Sequence, residues 1–409
     1  MKVCGIVAEY NPFHKGHLYH MRYSRDEITK QTGEPVAVVV VMSGNIVQRG
    51  DFAIFAKHRR AHSALLPPGG ADLIFELPTP FACATAERFA SSALSLLGAT
   101  GLVDYLSFGS EAGDLAPLWK LAALHESEEF SLRIAEILEE GVTYAAARQR
   151  AAEEVLGEVG GFLRAPNNIL AVEYLRAISC LSLPITPMTV SRVGPGHDSF
   201  EVKDKLASAS IMRAMLLTDG AYSAMRYMPI EASNMVVDDI SIGRGPVSLK
   251  QIDIAIMSHL RRLTLADFEA LPDVSEGLPA RLYSAVRESN SLDEAIAVAK
   301  TKRYTRARIR RQFLLAFLGV TAKDAAGAPP YLRVLGFTDR GRSLLKRMKE
   351  TATLPVITKP AESDGLPGGA KETFLLESRI SDLYRLACPS IAERDAGSEY
   401  TRSPIYVKR

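Results

Sequence analysis

The sequence predicts an α/β protein, with a doubly wound parallel sheet in the first half and a mostly α-helical second half. Three observations carry this. Short apolar runs alternate with helical stretches at the interval of βαβ units: Val3 to Ala8, Pro35 to Met42 (PVAVVVVM), Ala71 to Leu77 (ADLIFEL) and Asp104 to Phe108 (DYLSF). Their near-continuous hydrophobicity is that of strands buried on both faces. In the second half, apolar residues fall instead at helical spacing, as from Ser248 to Leu263.

The first strand runs into Asn11-Pro12-Phe13, a turn signal, then His14-Lys15-Gly16-His17, and a helix is expected from about Leu18. Two histidines three apart thus sit where a strand ends and a helix begins. Open α/β sheets bind ligands at the carboxyl ends of their strands. A helix start adds free N–H groups and a positive dipole end, which suits phosphate. Gly16 allows close backbone approach, and two imidazoles can donate to phosphoryl oxygens as charge builds up. This His-x-Gly-His pattern resembles the nucleotide-binding signature of the HIGH superfamily of nucleotidyltransferases and class I aminoacyl-tRNA synthetases.

The second strand ends in Ser43-Gly44-Asn45, followed by Val47-Gln48-Arg49-Gly50-Asp51, a second wall for the same crevice. The helix expected from Lys57 to Leu66 carries Lys57, His58, Arg59 and Arg60, either a solvated face or a phosphate or nucleic-acid contact. A helix from Thr85 to Leu97 follows the third strand. The fourth strand ends in Gly109-Ser110-Glu111, where a base or ribose can press on backbone. Residues 115 to 158 read as helices, and Pro166-Asn167-Asn168 opens another through about Ile178. A short strand from Ile185 to Val193 carries Arg192, with His197 beyond it. Ser208 and Ser210 precede a helix containing Arg213; the serines are N-caps or, with Arg213, phosphate ligands.

With 409 residues, two domains are expected, and 47% hydrophobic and 23% charged residues are ordinary for a soluble globular protein. No apolar run approaches the roughly 20 residues that span a bilayer, and the N-terminus reads as a strand, so no membrane association is expected. Cys4, Cys83, Cys180 and Cys388 are scattered without a CxxC, as expected of reduced thiols in a cytoplasmic protein. The net charge of +2 selects no partner. Its distribution is more telling: seven of the twelve residues from Lys300 to Arg311 are basic, namely Lys300, Lys302, Arg303, Arg306, Arg308, Arg310 and Arg311. That density favours RNA backbone contact over a merely solvated face. Tyr304, among them, is either a stacking platform for an unpaired base or a core residue.

The runs GIVAEYNPFHKGH, MSGNIVQRG, ADLIFELP, FGSE, PNNIL and SASIMR, in that order, resemble the bacterial tRNA(Met) cytidine acetate ligase family. The resemblance continues through KTKRYTRARIRR and LGFTDRGRSLLK. It implies a Rossmann-like HIGH-superfamily nucleotidyltransferase domain, placed at 1–220, and a mostly helical tRNA-binding domain at 221–409. The implied reaction activates acetate with ATP, carried with Mg²⁺, to acetyl-adenylate and pyrophosphate. The acetyl group then passes to N4 of the wobble cytidine of elongator tRNA(Met). His14 and His17 are the implied catalytic residues. The implied ATP site comprises Val7, Ala8, Glu9, Tyr10, Asn11, Pro12, Phe13, His14, Lys15, Gly16, His17, Leu18, Tyr19 and His20, with Gly109, Asn167 and Arg192. Ser208, Ser210 and Arg213 look like the S-x-[ST]-x-x-R element of related nucleotidyltransferases, which replaces the synthetases' lysine-rich KMSKS loop. The expected tRNA surface is Lys57, Arg60 and Lys300 to Arg311, with Tyr304. Two other readings share the His-x-Gly-His site: a small-molecule adenylyltransferase, which has no use for a long basic helical half, and a non-catalytic tRNA-binding protein. No feature of the sequence sets an oligomeric state.

Overall fold

The computed structural model describes residues 1–191, 207–274 and 277–409. Its strands are β1 (Lys2–Ala8), β2 (Val36–Ser43), β3 (Ile46–Val47), β4 (Asp51–Phe52), β5 (Leu73–Leu77), β6 (Tyr105–Ser110), β7 (Thr186–Ser191), β8 (Leu332–Thr338), β9 (Val356–Ile357) and β10 (Ile405–Val407). The main sheet runs β10-β8-β5-β2-β1-β6-β7, with β9 beside β8, while β3 and β4 form a separate small hairpin. The stretch β5-β2-β1-β6-β7 is parallel throughout. Its order reverses between β1 and β6, and the crevice outside that switch point is where such sheets hold ligands.

Alternation along β2 explains the two-sided core. Val39 and Val41 pack with Phe75, Phe89 and Leu94 on one face. Val38 and Val40 pack with Ile6, Met21 and Met212 on the other. The first face is covered by helices Ala86–Ala99 and Pro166–Cys180, the second by α1 (Lys15–Thr32), α2 (Lys57–Leu65) and Ala209–Thr218. A third core, built on Ile256, Leu260, Leu282, Ile296, Ile309 and Phe313, belongs to the second-half helices and also takes in Ile46 and Phe52 from the β3–β4 hairpin.

The sheet is not confined to residues 1–220. β8 pairs antiparallel with β5, from Leu73 opposite Phe337 to Glu76 opposite Arg333, and β10 lies parallel to β8. The chain therefore returns from the helical region to extend the first sheet. A seven-residue apolar run such as LRVLGFT cannot be told from a buried helix segment by periodicity.

Where β8 joins β5, a group of charges is buried. Lys57 Nζ lies 2.6 and 2.8 Å from the Glu76 carboxylate oxygens and 2.9 Å from Glu399 Oε1. Arg333 reaches Glu399 at 3.1 Å and Glu76 at 3.7 Å. Beside them, Glu377 accepts from the Thr79 N–H at 2.6 Å and from the Thr79 hydroxyl at 3.1 Å. Burial pushes the Glu399 carboxyl up, but Lys57 and Arg333 outweigh it and hold its pKa at about 2. Burial and the neighbouring Glu76 push Glu377 up to about 8. With Glu377 protonated, two cations face two carboxylates, so the buried group balances.

The raised Glu377 pKa has a sign. The folded chain keeps a proton that the unfolded chain releases above about 4.5, so this group's stabilisation is complete below that pH and is lost as pH rises through about 8. Gln at 377 mimics the protonated form at every pH. Glu377→Gln is expected to raise the thermal midpoint relative to the parent chain progressively from about pH 5 to about pH 8 and by a constant amount above that. A pH-independent difference in scanning calorimetry would contradict the assignment.

Candidate active site

β1 delivers Glu9, Tyr10 and Asn11 to the crevice. Tyr10 adopts φ +47, a left-handed conformation that costs a non-glycine residue about 1–2 kcal/mol. Its ring is buried and meets His17 edge-on, 4.9 Å between centroids. His14 is the N-cap of α1: its Nδ1 accepts the Gly16 N–H at 3.1 Å, while His17 Nδ1 accepts the His14 N–H at 3.3 Å. This reciprocal capping box is built from two imidazoles instead of the usual Ser and Glu. It also selects tautomers, because an Nδ1 that accepts leaves a neutral ring with its proton on Nε2. The rings stack 3.7 Å apart at 21°, giving two adjacent Nε2–H donors at the positive end of α1. Gly16 is required here, since a Cβ would fall 2.9 Å from His14 Cε1 and 3.0 Å from Nδ1. Further along α1, His20 Nε2 lies 2.8 Å from Ser107 Oγ at the base of β6.

These groups line a cavity of about 460 Å³, large enough for a nucleotide. Val7, Ala8, Glu9, Tyr10, Asn11, His14, Gly16, His17, Tyr19, His20, Gly109, Asn167, Ser208 and Arg213 are all on its wall. Five residues of the expected set have other places. Phe13 and Leu18 are buried in the core beside Met21 and Met212. Lys15 turns away to donate to the Arg226 carbonyl at 2.7 Å. Ser210 accepts from Arg213 at 3.1 Å, so it positions that guanidinium. Pro12, joined to Asn11 by a cis peptide, lies off the wall. Arg192 and His197 lie outside the described residues.

Each wall residue is held by local structure. Ser208 caps the helix Ala209–Thr218, accepting the Ile211 N–H at 3.3 Å. Arg213 donates to the Asn11 carbonyl at 2.9 Å, tying that helix to the β1 loop. Burial lowers the Arg213 pKa, opposed by Glu9 and Asp51. Asn167 donates to the Glu111 carboxylate, and Asn168 Oδ1 accepts the Glu111 and Ala112 N–H groups at 2.9 and 3.0 Å. The start of the helix Pro166–Cys180 is thereby locked to the loop after β6.

The cavity wall holds further residues beyond the expected ATP-binding set. Phe89, Phe108, Ile169, Leu170 and Tyr174 form an apolar side. As sequence they are indistinguishable from core. Gln48, Arg49 and Asp51 come from the loop read as a second wall, and Arg310 comes from the basic segment.

The basic residues divide. Lys57 and Arg60 are 1% and 2% exposed, so neither can contact RNA. Lys57 serves the buried charge group. Arg60 donates to the carbonyls of Phe55 at 2.9 Å and Ser43 at 3.0 Å, and also to those of Glu9 and Gly44. It ties together the ends of β1 and β2. Tyr304 is 5% exposed, so it is a core residue and no stacking platform. Arg308 donates to the Asp273 carbonyl at 2.8 Å, and Arg310 lies in the cavity wall. Arg311 is half-buried, whereas Lys300, Lys302, Arg303 and Arg306 are exposed.

Comparison with known proteins places this geometry. A family model described as HIGH Nucleotidyl Transferase matches residues 1–399. The tRNA(Met) cytidine acetate ligase of Thermoanaerobacter sp. (strain X514) is 38% identical, over 95% of this chain and 96% of its own. That of Acetivibrio thermocellus is 35% identical over 100% of both chains. The chain belongs to the tRNA(Met) cytidine acetate ligase family. The crystal structure of Thermotoga maritima TmcAL (apo, form I) superposes with a TM-score of 0.94 at 31% identity, covering 100% of both chains. TmcAL bound with alpha-thio ATP superposes at 0.92. The family relationship therefore spans both halves of the chain, including the returning strands β8 to β10.

Proposed function

We propose that this chain is an ATP-dependent tRNA(Met) cytidine acetate ligase. Acetate attacks the α-phosphorus of ATP, the bond to pyrophosphate breaks, and acetyl-adenylate forms. The N4 amine of the wobble cytidine of elongator tRNA(Met) then attacks the acetyl carbonyl, and AMP leaves. The observation that carries this reading is the stacked His14–His17 pair at the start of α1, inside a fold that matches a TmcAL bound with alpha-thio ATP over its whole length.

The first step needs positioning and charge stabilisation, with little covalent work from the protein. The Nε2–H donors of His14 and His17, together with Arg213, meet the growing charge on the phosphoryl oxygens. The apolar wall of Phe89, Phe108 and Tyr174 suits the face of a base. Gly109 offers close backbone approach, as does Gly16. Among the described residues no three His, Cys, Asp or Glu side chains group to hold a metal. Mg²⁺ enters this account only as the counter-ion that ATP carries. Among the described residues no helix is long and apolar enough to cross a membrane, and the enzyme is assigned to the cytoplasm, where its tRNA substrate is.

The activation half is tested by acetate-dependent exchange of labelled pyrophosphate into ATP. Exchange that requires acetate supports the reading. Its absence with acetate, when another small acid supports it, would move the substrate elsewhere.

The helical part of residues 221–409 is assigned the tRNA, with Lys300, Lys302, Arg303 and Arg306 as phosphate contacts. Replacing these four by Gln is expected to weaken tRNA binding and to reduce the slope of log K against log salt by about 2–4. Exchange without tRNA should persist. An unchanged salt slope in filter binding would put the RNA on another surface.

A further inference from the structure

The cavity wall also carries carboxylates, which adenylation does not require. Glu9 and Asp51 are the two carboxylates lining the cavity among the described residues. Glu9 is engaged, its Oε1 accepting the Gln48 N–H at 2.9 Å. Asp51 accepts the Phe52 N–H through Oδ1 at 2.9 Å, and its Oδ2 lies 3.4 Å from an Arg310 terminal nitrogen. Its side chain stays 37% accessible from the crevice.

The support for this pair comes from the helical region. Gly50 has φ +73, and a Cβ there would fall 2.5 Å from the Arg311 Cα. The loop after β3 therefore rests directly on the backbone of the helix Arg306–Leu318, which also carries Arg310. Arg310 Nε donates to the Arg49 carbonyl at 3.2 Å, closing the contact from the other side. Arg306 and Arg310, four apart, share one face of that helix. Arg306 is exposed and Arg310 lines the cavity, so one helix face leads from the basic surface into the crevice.

A carboxylate is unfavourable beside phosphates that gain negative charge. It suits an exocyclic amine, which offers N–H donors and must lose a proton as it attacks. Resting on the ligase reading above, we propose that Asp51, held by Arg310, receives the target cytosine: its carboxylate accepts the N4–H and takes that proton as N4 attacks the acetyl carbonyl. In this step the N4–C bond forms, the C–O bond to the adenylate phosphate breaks, and AMP departs with the electron pair. Burial raises the Asp51 pKa, opposed by Arg310 and Arg213 and reinforced by Glu9, which moves it toward the range of a working base.

The test separates the two half-reactions in Asp51→Asn and Asp51→Glu, using labelled pyrophosphate exchange and single-turnover transfer of labelled acetyl to tRNA. Asp51→Asn is expected to lower transfer about 100-fold, at least tenfold more than exchange, with partial recovery in Asp51→Glu. Equal losses in both half-reactions, or unimpaired transfer, would overturn the proposal. If the Asn variant does not fold, the pH profile of the parent enzyme decides. Burial, Arg310, Arg213 and Glu9 set the Asp51 titration, and Arg49 shares the cavity wall with it. Transfer should fall on acidification through a carboxyl group above the ordinary range while exchange does not. Coincident profiles overturn the proposal. A parent enzyme with no acetate-dependent exchange contradicts the ligase reading itself, an outcome distinct from any Asp51 result.

Discussion

His14→Ala and His17→Ala each lower acetate-dependent pyrophosphate exchange by about 100- to 1,000-fold, the usual cost of one donor to a developing oxyanion. Two effects are combined in these variants. Each ring supplies an Nε2–H donor, and each also caps α1 through Nδ1. The capping share is about 1 kcal/mol of stability, small against the catalytic loss. His14→Asn separates them, because an Asn oxygen accepts the Gly16 N–H as well as an imidazole does. That variant should recover the stability of the parent chain but not its exchange rate. The double alanine variant should lose less than the product of the single losses, because rings 3.7 Å apart act as a unit. Fully multiplicative losses in exchange kinetics would mean that the two histidines act independently and not as a unit.

Lys57→Met destabilises the fold by about 3–5 kcal/mol, because it leaves Arg333 alone to balance the two buried carboxylates of Glu76 and Glu399. The loss should be read by urea denaturation. Adding Glu399→Gln to Lys57→Met is expected to return part of it, since Arg333 then faces the single carboxylate of Glu76. On the folded fraction, tRNA affinity should equal that of the parent chain. A Lys57 variant with ordinary stability and weakened RNA binding would contradict the buried position of this side chain.

The same lysine shows where the sequence stops being informative. A helix carrying Lys57, His58, Arg59 and Arg60 reads as a basic surface. Only the chain's return at β8 and the segment around Glu399 buries it, and those partners lie far along the sequence. Parallel strands such as Val36–Ser43 were legible because burial on both faces leaves an uninterrupted apolar run. The loop from Glu9 to His17 was legible because strand, turn, glycine and helix start follow one another within a few residues. β8 was not, for its antiparallel pairing with β5 leaves no local signature. The site divides in the same way. His14, His17, Gly109 and Arg213 stand out by type and position and Asn167 only by the family resemblance, whereas Phe89, Phe108 and Tyr174 look like any core residue until the fold turns them to the cavity. Tyr304 failed as a stacking platform for the opposite reason: an aromatic among charges looks exposed, but here it anchors the basic segment to the helical core.

The pure protein is incubated with ATP, radiolabelled acetate and unmodified elongator tRNA(Met), and label is followed into RNA. Label is expected at N4 of the wobble cytidine, absent when that base is replaced by uridine and absent in His14→Ala. Acetate-dependent pyrophosphate release without label in this RNA would contradict the assigned acceptor, and no pyrophosphate release with any small acid would contradict the ligase.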